Sequence, residues 1–304
     1  MNKDYIKDVD QAKDEANEIN APVTTSEFMK DKYTKEIREF NEAEYEEGFF
    51  YLLYKYRSDI FKEIRDKEPG NSDTHIVRFM MLATCISYGG NLYYNRNRVK
   101  KSTLKRVWDL KADSSINKTY NLLKDIGYIY VTDEGYIMIN ENIVVKGSVS
   151  AKLKELKKDD ENFTYMRIYI QNIKRLYYDT PTTRKKKLAN LFLILPYINY
   201  KYNVFCSNPT ETDVNKLNLL TWTDLARTCD YDETNVTRFR KDLFKLKLYD
   251  KDVIGELVSG QGTRILINPA IYYVGNNIDD VLYLYKLFKM KPKKYNKIQI
   301  KGDI

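Results

Sequence analysis

Five side chains in the last third of the chain have the types needed to read a polar, anionic polymer. Thr234, Asn235, Thr237, Arg238 and Lys241 each carry a hydrogen-bond donor or a positive charge. Among and after them, Val236, Phe239, Leu243 and Leu246 recur at intervals of three and four, which marks the inward side of a helix. The polar set therefore occupies the opposite side. An asparagine amide can pair bidentately with adenine and an arginine with guanine, each worth about 1–3 kcal/mol of discrimination. That chemistry makes Asn235 and Arg238 the candidates for base contact. Thr234 and Thr237 can touch bases or phosphates, while Lys241 and Lys245 can hold phosphates, which fix register without reading sequence.

The surrounding sequence supplies the elements needed to position them. In TWTDLARTCDYDETNVTRFRKDLFKLKL, Thr221 and Asp224 form a capping signal for a first helix with Leu225, Ala226 and Cys229 inward. Asp232 can cap the second helix. VIGELV and TRILIN follow as β-rich runs around Ser259-Gly260-Gln261-Gly262, a hairpin signal. Gln261 and Arg264 at this hairpin are placed to enter or flank a minor groove.

The chain repeats itself. Phe79, Ile86, Tyr88, Asn91 and Leu92 correspond to Leu191, Ile198, Tyr200, Asn203 and Val204 at an offset of 112. Leu104 and Trp108 match Leu225 and Cys229 at 121, and Ile116, Leu123 and Ile126 match Val236, Leu243 and Leu246 at 120. Both copies close on the frame I-x-I-N-x-x-I-x-x-x-G, at Ile137–Gly147 and Ile265–Gly275. The offset changes where loops vary. In the first copy the candidate contact residues are then Ser114, Ser115, Asn117, Lys118, Asn121 and Lys124. Its hairpin tip, Asp133-Glu134, is acidic and would be repelled by phosphate, so the second copy is expected to be the better reader.

Taken in order, residues 1–45 form a charged arm with 7 Lys/Arg against 12 Asp/Glu, a net of −5 within a chain of net +8. Residues 46–147 make the first domain and 148–162 a polar linker, part helix. Residues 163–290 make the second domain with its C-terminal amphipathic helix, and 291–304 a basic tail. Apolar patterns over FFYLLYKYRSDIFKEI and YMRIYIQNIKRLYY predict a matching helix at the start of each copy. A basic patch runs from Arg96 to Arg106, and Arg184-Lys185-Lys186-Lys187 begins a further helix. Lysine-rich usage also follows from an AT-rich genome, so charge matters here because it coincides with the helix pair.

Composition excludes more than it suggests. There is one histidine, His75, and three isolated cysteines, Cys85, Cys206 and Cys229. That leaves no His-rich zinc site, no CxxC pair and no His-hydrophobic-His metal motif, and there is no phosphate-binding GxxxxGK[ST] loop. No enzyme, cofactor or metal is expected. The longest apolar run, LANLFLILPYI, is too short to span a bilayer. Free thiols and the lack of a signal-like start predict a cytoplasmic protein.

Helix, turn, helix and hairpin is the order of a winged helix. TWTDLARTCDYDETNVTRFRKDL resembles the helix-turn-helix of MarR-like regulators. ILINPAIYYVG and its echo IMINENIVVKG resemble the close of the winged helix in replication initiators of small Gram-positive plasmids and phages. The resemblance implies a mainly α fold with small β-hairpin wings (α+β), two winged-helix domains in tandem, and double-stranded DNA as partner. It further implies an origin-binding role or, as the alternative, transcriptional regulation. Replication or transcription proteins could dock on the arm or first domain, and a homodimer is possible in principle. A protein-interaction scaffold that does not read DNA is the remaining alternative; no membrane is expected as partner.

Overall fold

A computed structural model of the chain describes residues 48–272 except 56, 58, 59, 148, 160–162, 260, 261 and 270, together with Phe288 and residues 297–299. The acidic arm, all but Phe288 of the C-terminal amphipathic helix, and most of the basic tail lie outside the described residues. The fold is mixed α and β with small sheets, and the chain divides into two compact units. Contacts separate them after Pro196.

The N-terminal unit opens with β1 (Phe49–Tyr54), α1 (Lys62–Lys67) and α2 (Ser72–Ala83). Short strands β2 (Tyr93–Tyr94) and β3 (Asn97–Arg98) precede α3 (Leu104–Val107) and α4 (Asp113–Asp125). Then come β4 (Ile129–Val131), β5 (Ile137–Ile139) and β6 (Val144–Val145). The unit closes with α5 (Val149–Asp159), β7 (Thr164–Tyr169), α6 (Ile170–Asp179), a 3-10 turn over Thr182–Lys187, and α7 (Leu188–Ile194).

The segments expected to open each copy as helices open instead as strands. FFYLLY and TYMRIY pair antiparallel from Phe49↔Tyr169 to Tyr54↔Thr164, in a sheet of order β6-β1-β7. Their aromatic and branched side chains suit a pleated surface, and each strand satisfies the backbone groups that the other would leave open. Since β1 and β7 occupy matching places in the repeat, this pairing joins one copy to the start of the other. The corresponding helices α2 and α7 also pack together. Residues 163–196, assigned by sequence to the second domain, thus fold with the first.

The segment read as a linker is helix α5 over most of its length. Val149 and Leu156 pack with Leu53 and Val145, beside Tyr51, Leu153, Phe163 and Tyr165. The helix beginning at Asp113 has Ala112 at its cap position and no side-chain cap. Asp113 therefore sits inside the first turn, where its charge meets the helix dipole.

One polar chain fastens the helices of this unit. His75 Nδ1 pairs with Thr119 Oγ1 at 2.9 Å, and Arg78 donates to Thr119 Oγ1 at 2.6 Å and to the Ser115 carbonyl at 2.9 Å. Trp108 donates its indole N–H to the Arg78 carbonyl at 2.8 Å, and the Tyr177 hydroxyl donates to the Trp108 carbonyl at 2.5 Å. His75 is 1% exposed. Burial, with the Arg78 charge adding to it, lowers its pKa from 6.5 to about 4.

The folded state therefore holds His75 neutral where the unfolded chain would take up a proton. Stability from this residue is complete above about pH 6.5 and is lost as pH falls toward 4. A loss of about 2 kcal/mol is expected between pH 7 and pH 5. Urea midpoints at the two pH values measure it, and His75→Gln should flatten the difference; an unchanged pH dependence in that variant would rule this origin out.

The C-terminal unit contains α8 (Trp222–Thr228), α9 (Val236–Phe244), β8 (Lys247–Leu248) and β9 (Lys251–Asp252). These are followed by β10 (Ile254–Ser259), β11 (Gly262–Ile267) and β12 (Lys297–Gln299). β10 and β11 form the expected hairpin, in register from Ile254↔Ile267 to Ser259↔Gly262. Residues 297–299, read as tail, form a strand parallel to β10.

The repeated closing frame has a shared local structure. Asn140 donates its side-chain amide to the Gly127 carbonyl and Asn268 to the Asp252 carbonyl, each at 2.8 Å. Their backbone N–H groups reach the next carbonyls, Tyr128 and Val253. Ile143 and Ile271 then donate back to the carbonyls of Asn140 and Asn268. The asparagine ties the closing strand to the end of the strand or turn before it, in both units.

Candidate nucleic-acid interface

Side-chain caps stand at the start of α8 and at the entry to α9. Thr221 Oγ1 accepts from the Asp224 N–H at 3.2 Å, while an Asp224 carboxylate oxygen accepts from the Thr221 N–H at 2.9 Å. Asp232 caps a 3-10 turn, Glu233–Asn235, that leads into α9. Its Oδ1 accepts from the backbone N–H groups of Thr234 at 2.9 Å and Asn235 at 3.1 Å. The hydrogen bonds received by Asp232, from the Thr234 hydroxyl foremost and then the Asn235 amide, hold its carboxyl below the usual range.

Behind α9 stands an ion pair that sequence reading missed. Glu256 is buried in β10 at 1% exposure. Its Oε2 accepts from Arg240 Nη2 at 2.6 Å, and its Oε1 accepts from the Trp222 indole N–H. The guanidinium also lies near the rings of Trp222 and Phe244. One carboxylate thus connects α8, α9 and β10. The available signal was an acidic residue within the otherwise apolar run VIGELV.

Phe239, Leu243 and Leu246 are buried, and this sets the outward face. Thr234, Thr237, Arg238, Lys241 and Lys245 are exposed on it. Lys245 lies 4.0 Å from Asp242, at the outer limit of an ion pair. Two further candidates are placed differently from expectation. The Asn235 amide donates to both carboxylate oxygens of Asp232 at 2.9 Å, so it braces the turn instead of standing free for a base. Arg264 is only 7% exposed, because β11 is covered from Arg264 to Ile267, and it does not project from the hairpin. Gln261 lies outside the described residues.

On α4, Ser114, Asn117, Asn121 and Lys124 are exposed. Ser115 is half-buried and its carbonyl is taken by Arg78. Lys118 is exposed but sits 2.9 Å from Glu68, whose carboxyl it holds below the usual range. This face is accordingly poorer in available charge than that of α9. In the run Arg184–Lys187, Lys185 is drawn inward, 3.2 Å from Asp109 and over the Tyr177 ring, while Arg184 and Lys186 remain exposed. All three cysteines are buried free thiols, and among the described residues no helix is long and apolar enough to cross a membrane. No protein-family model, curated protein or solved structure matches the chain.

Proposed function

We propose that the chain is a non-enzymatic, sequence-specific binder of double-stranded DNA, built from two winged-helix-like modules and acting at the replication origin of a plasmid or phage. The observation that carries this reading is the exposed face Thr234, Thr237, Arg238, Lys241 and Lys245 on a helix fixed by the Asp232 cap and the Glu256 ion pair. In a helix-turn-helix, the second helix enters the major groove with its N-terminal residues at the base edges. By that placement Arg238 reads a guanine, Thr237 touches a neighbouring base or phosphate, and Lys241 and Lys245 hold phosphates. Asn235 serves the turn. The replication role rests on the resemblance of IMINENIVVKG and ILINPAIYYVG to plasmid and phage initiators. The similarity of residues 221–243 to MarR-like regulators supports transcriptional control as the second reading.

Selection of tight binders from a random duplex pool by the full chain tests the reading. An enriched motif is expected, and its position at an origin or over a promoter separates the two roles. Recovery without any enriched motif would rule out sequence-specific reading. Arg238→Ala should cost about 1–3 kcal/mol on the selected site and relax one position. Lys241→Ala should weaken all duplexes alike and lower the salt slope by about one. Equal loss on matched and scrambled DNA for Arg238→Ala would remove its base-reading role.

A further inference from the structure

The two copies carry their positive charge in different places. Between Arg96 and Arg106 the first copy has six cations in eleven residues, Arg96, Arg98, Lys100, Lys101, Lys105 and Arg106, with no Asp or Glu among them. The matching stretch of the second copy, 208–227, has two cations, Lys216 and Arg227, against Glu211, Asp213 and Asp224. There Lys216 pairs with Asp213, and Arg227 with Asp224 and Glu233. Among the described residues, none of the six cations of the first copy is in a salt bridge. The second copy concentrates exposed cations on α9; the first concentrates them on the β2–β3 hairpin and α3.

Aromatic faces order this cluster. The Arg98 guanidinium lies 4.1 Å from the centre of the Tyr136 ring and donates to Asn91 Oδ1 at 2.9 Å. Lys100 Nζ lies 4.5 Å from the same ring, and Lys101 Nζ lies 4.7 Å from Tyr120 on α4. Side chains held this way lose less freedom when an anion arrives. Arg98 and Lys100 also act on Glu134, whose carboxyl is held low first by the Thr132 hydroxyl and its own backbone N–H, and then by these two cations. Arg96, Lys105 and Arg106 are exposed and not shared with that acidic tip.

The hairpin turn itself is unusual for its sequence. Asn95 and Arg96 both have positive φ, 49° and 66°, as a two-residue primed turn requires. Gly normally fills such positions because it has no Cβ to strain, and Asn or Asp because a short polar side chain can hydrogen-bond locally. A long cation is thus kept at the tip of a hairpin where it costs stability.

We propose that residues 96–106 form a second DNA-contact surface, a basic ridge that grips the phosphodiester backbone without reading bases. The inference rests on the duplex-binding reading above and assigns the N-terminal unit a sequence-independent share of affinity beside that of Lys241 and Lys245. Phosphate contacts release counterions, so their number is read from the salt dependence, at about 0.9 per contact.

The test uses the full chain with the triple variant Arg96→Asn, Lys105→Gln, Arg106→Gln and, beside it, the single Arg96→Asn, which suits the turn. Binding to the selected duplex and to a scrambled duplex is measured over a salt series. The triple variant should weaken both by the same factor, on the order of 10- to 100-fold at low salt, and flatten the slope by about 2.7. Arg96→Asn should remove about one-third of that slope change while raising the thermal midpoint. Unchanged affinity and slope in both variants, with Arg238→Ala still impairing the selected site, would overturn the ridge and leave the duplex reading intact. Absence of any duplex binding by the unaltered chain would overturn both. Loss of pelleting with phosphatidylserine vesicles at unchanged DNA affinity would overturn it in favour of a lipid surface.

Discussion

Glu256→Ala should destabilise the C-terminal unit by about 3–5 kcal/mol, the range for breaking a buried ion pair by removing one partner. Glu256 is almost wholly buried, while Arg240 is about one-third exposed, so the guanidinium can recover some hydration and the lower end of the range applies. The Trp222 indole N–H loses its acceptor in the same substitution, and α8, α9 and β10 lose a side chain that joins all three. The chain has two tryptophans, Trp222 in this unit and Trp108 in the other. Fluorine-labelled tryptophan therefore gives one resonance per unit. In urea the Trp222 resonance should leave its folded position at lower denaturant than in the unaltered chain, with the Trp108 resonance unmoved. An unchanged Trp222 midpoint would show that the pair contributes no stability. Arg240→Met fills the same space without charge but leaves the buried Glu256 carboxylate with only the indole, so it should cost at least as much as Glu256→Ala.

Trp108→Ala should cost the N-terminal unit about 3–5 kcal/mol. Trp108 is fully buried, and its indole donates to the Arg78 carbonyl while its own carbonyl accepts from Tyr177. Truncation leaves a large void and takes away the second donor to one helical carbonyl of α2. Tyr177→Phe removes only the hydroxyl and should cost about 1 kcal/mol. Burial pushes the Tyr177 phenol up to about 12, so its hydrogen bond persists through the alkaline range in which an exposed tyrosine ionises. Urea unfolding followed by circular dichroism compares the two variants; equal losses would mean that packing around Trp108 contributes little beyond that one hydrogen bond.

The parts of the fold legible in the sequence are those with local causes. The Thr221/Asp224 box, the Asp232 cap and the 254–267 hairpin all depend on residues within a few positions of one another. The repeated asparagine of the closing frame was visible as a pattern, although its bond to the preceding turn was not. β1 and β7 read as helices in the sequence because a short apolar run does not declare its period, and each strand's partner lies far along the chain. The same limit hid Glu256, whose partners stand on other elements. The place of Arg264 in a hairpin suggests a surface position, but the sheet is covered there. The residue type of Asn235 suits base contact, yet an aspartate three residues earlier offers a local acceptor, a competition common for short polar side chains at helix starts.

The β1–β7 pairing also constrains how the molecule is made. A ribosome adding roughly 5–20 residues per second delivers β7 on the order of ten seconds after β1. Through that interval β1 can acquire β6, yet one edge stays open to any other nascent strand nearby. The first copy of the repeat is therefore completed by the opening of the second, and translation speed across residues 148–169 becomes a determinant of yield. A chain released at Gly147 would carry the open edge permanently, and aggregation of that fragment during expression is the expected result.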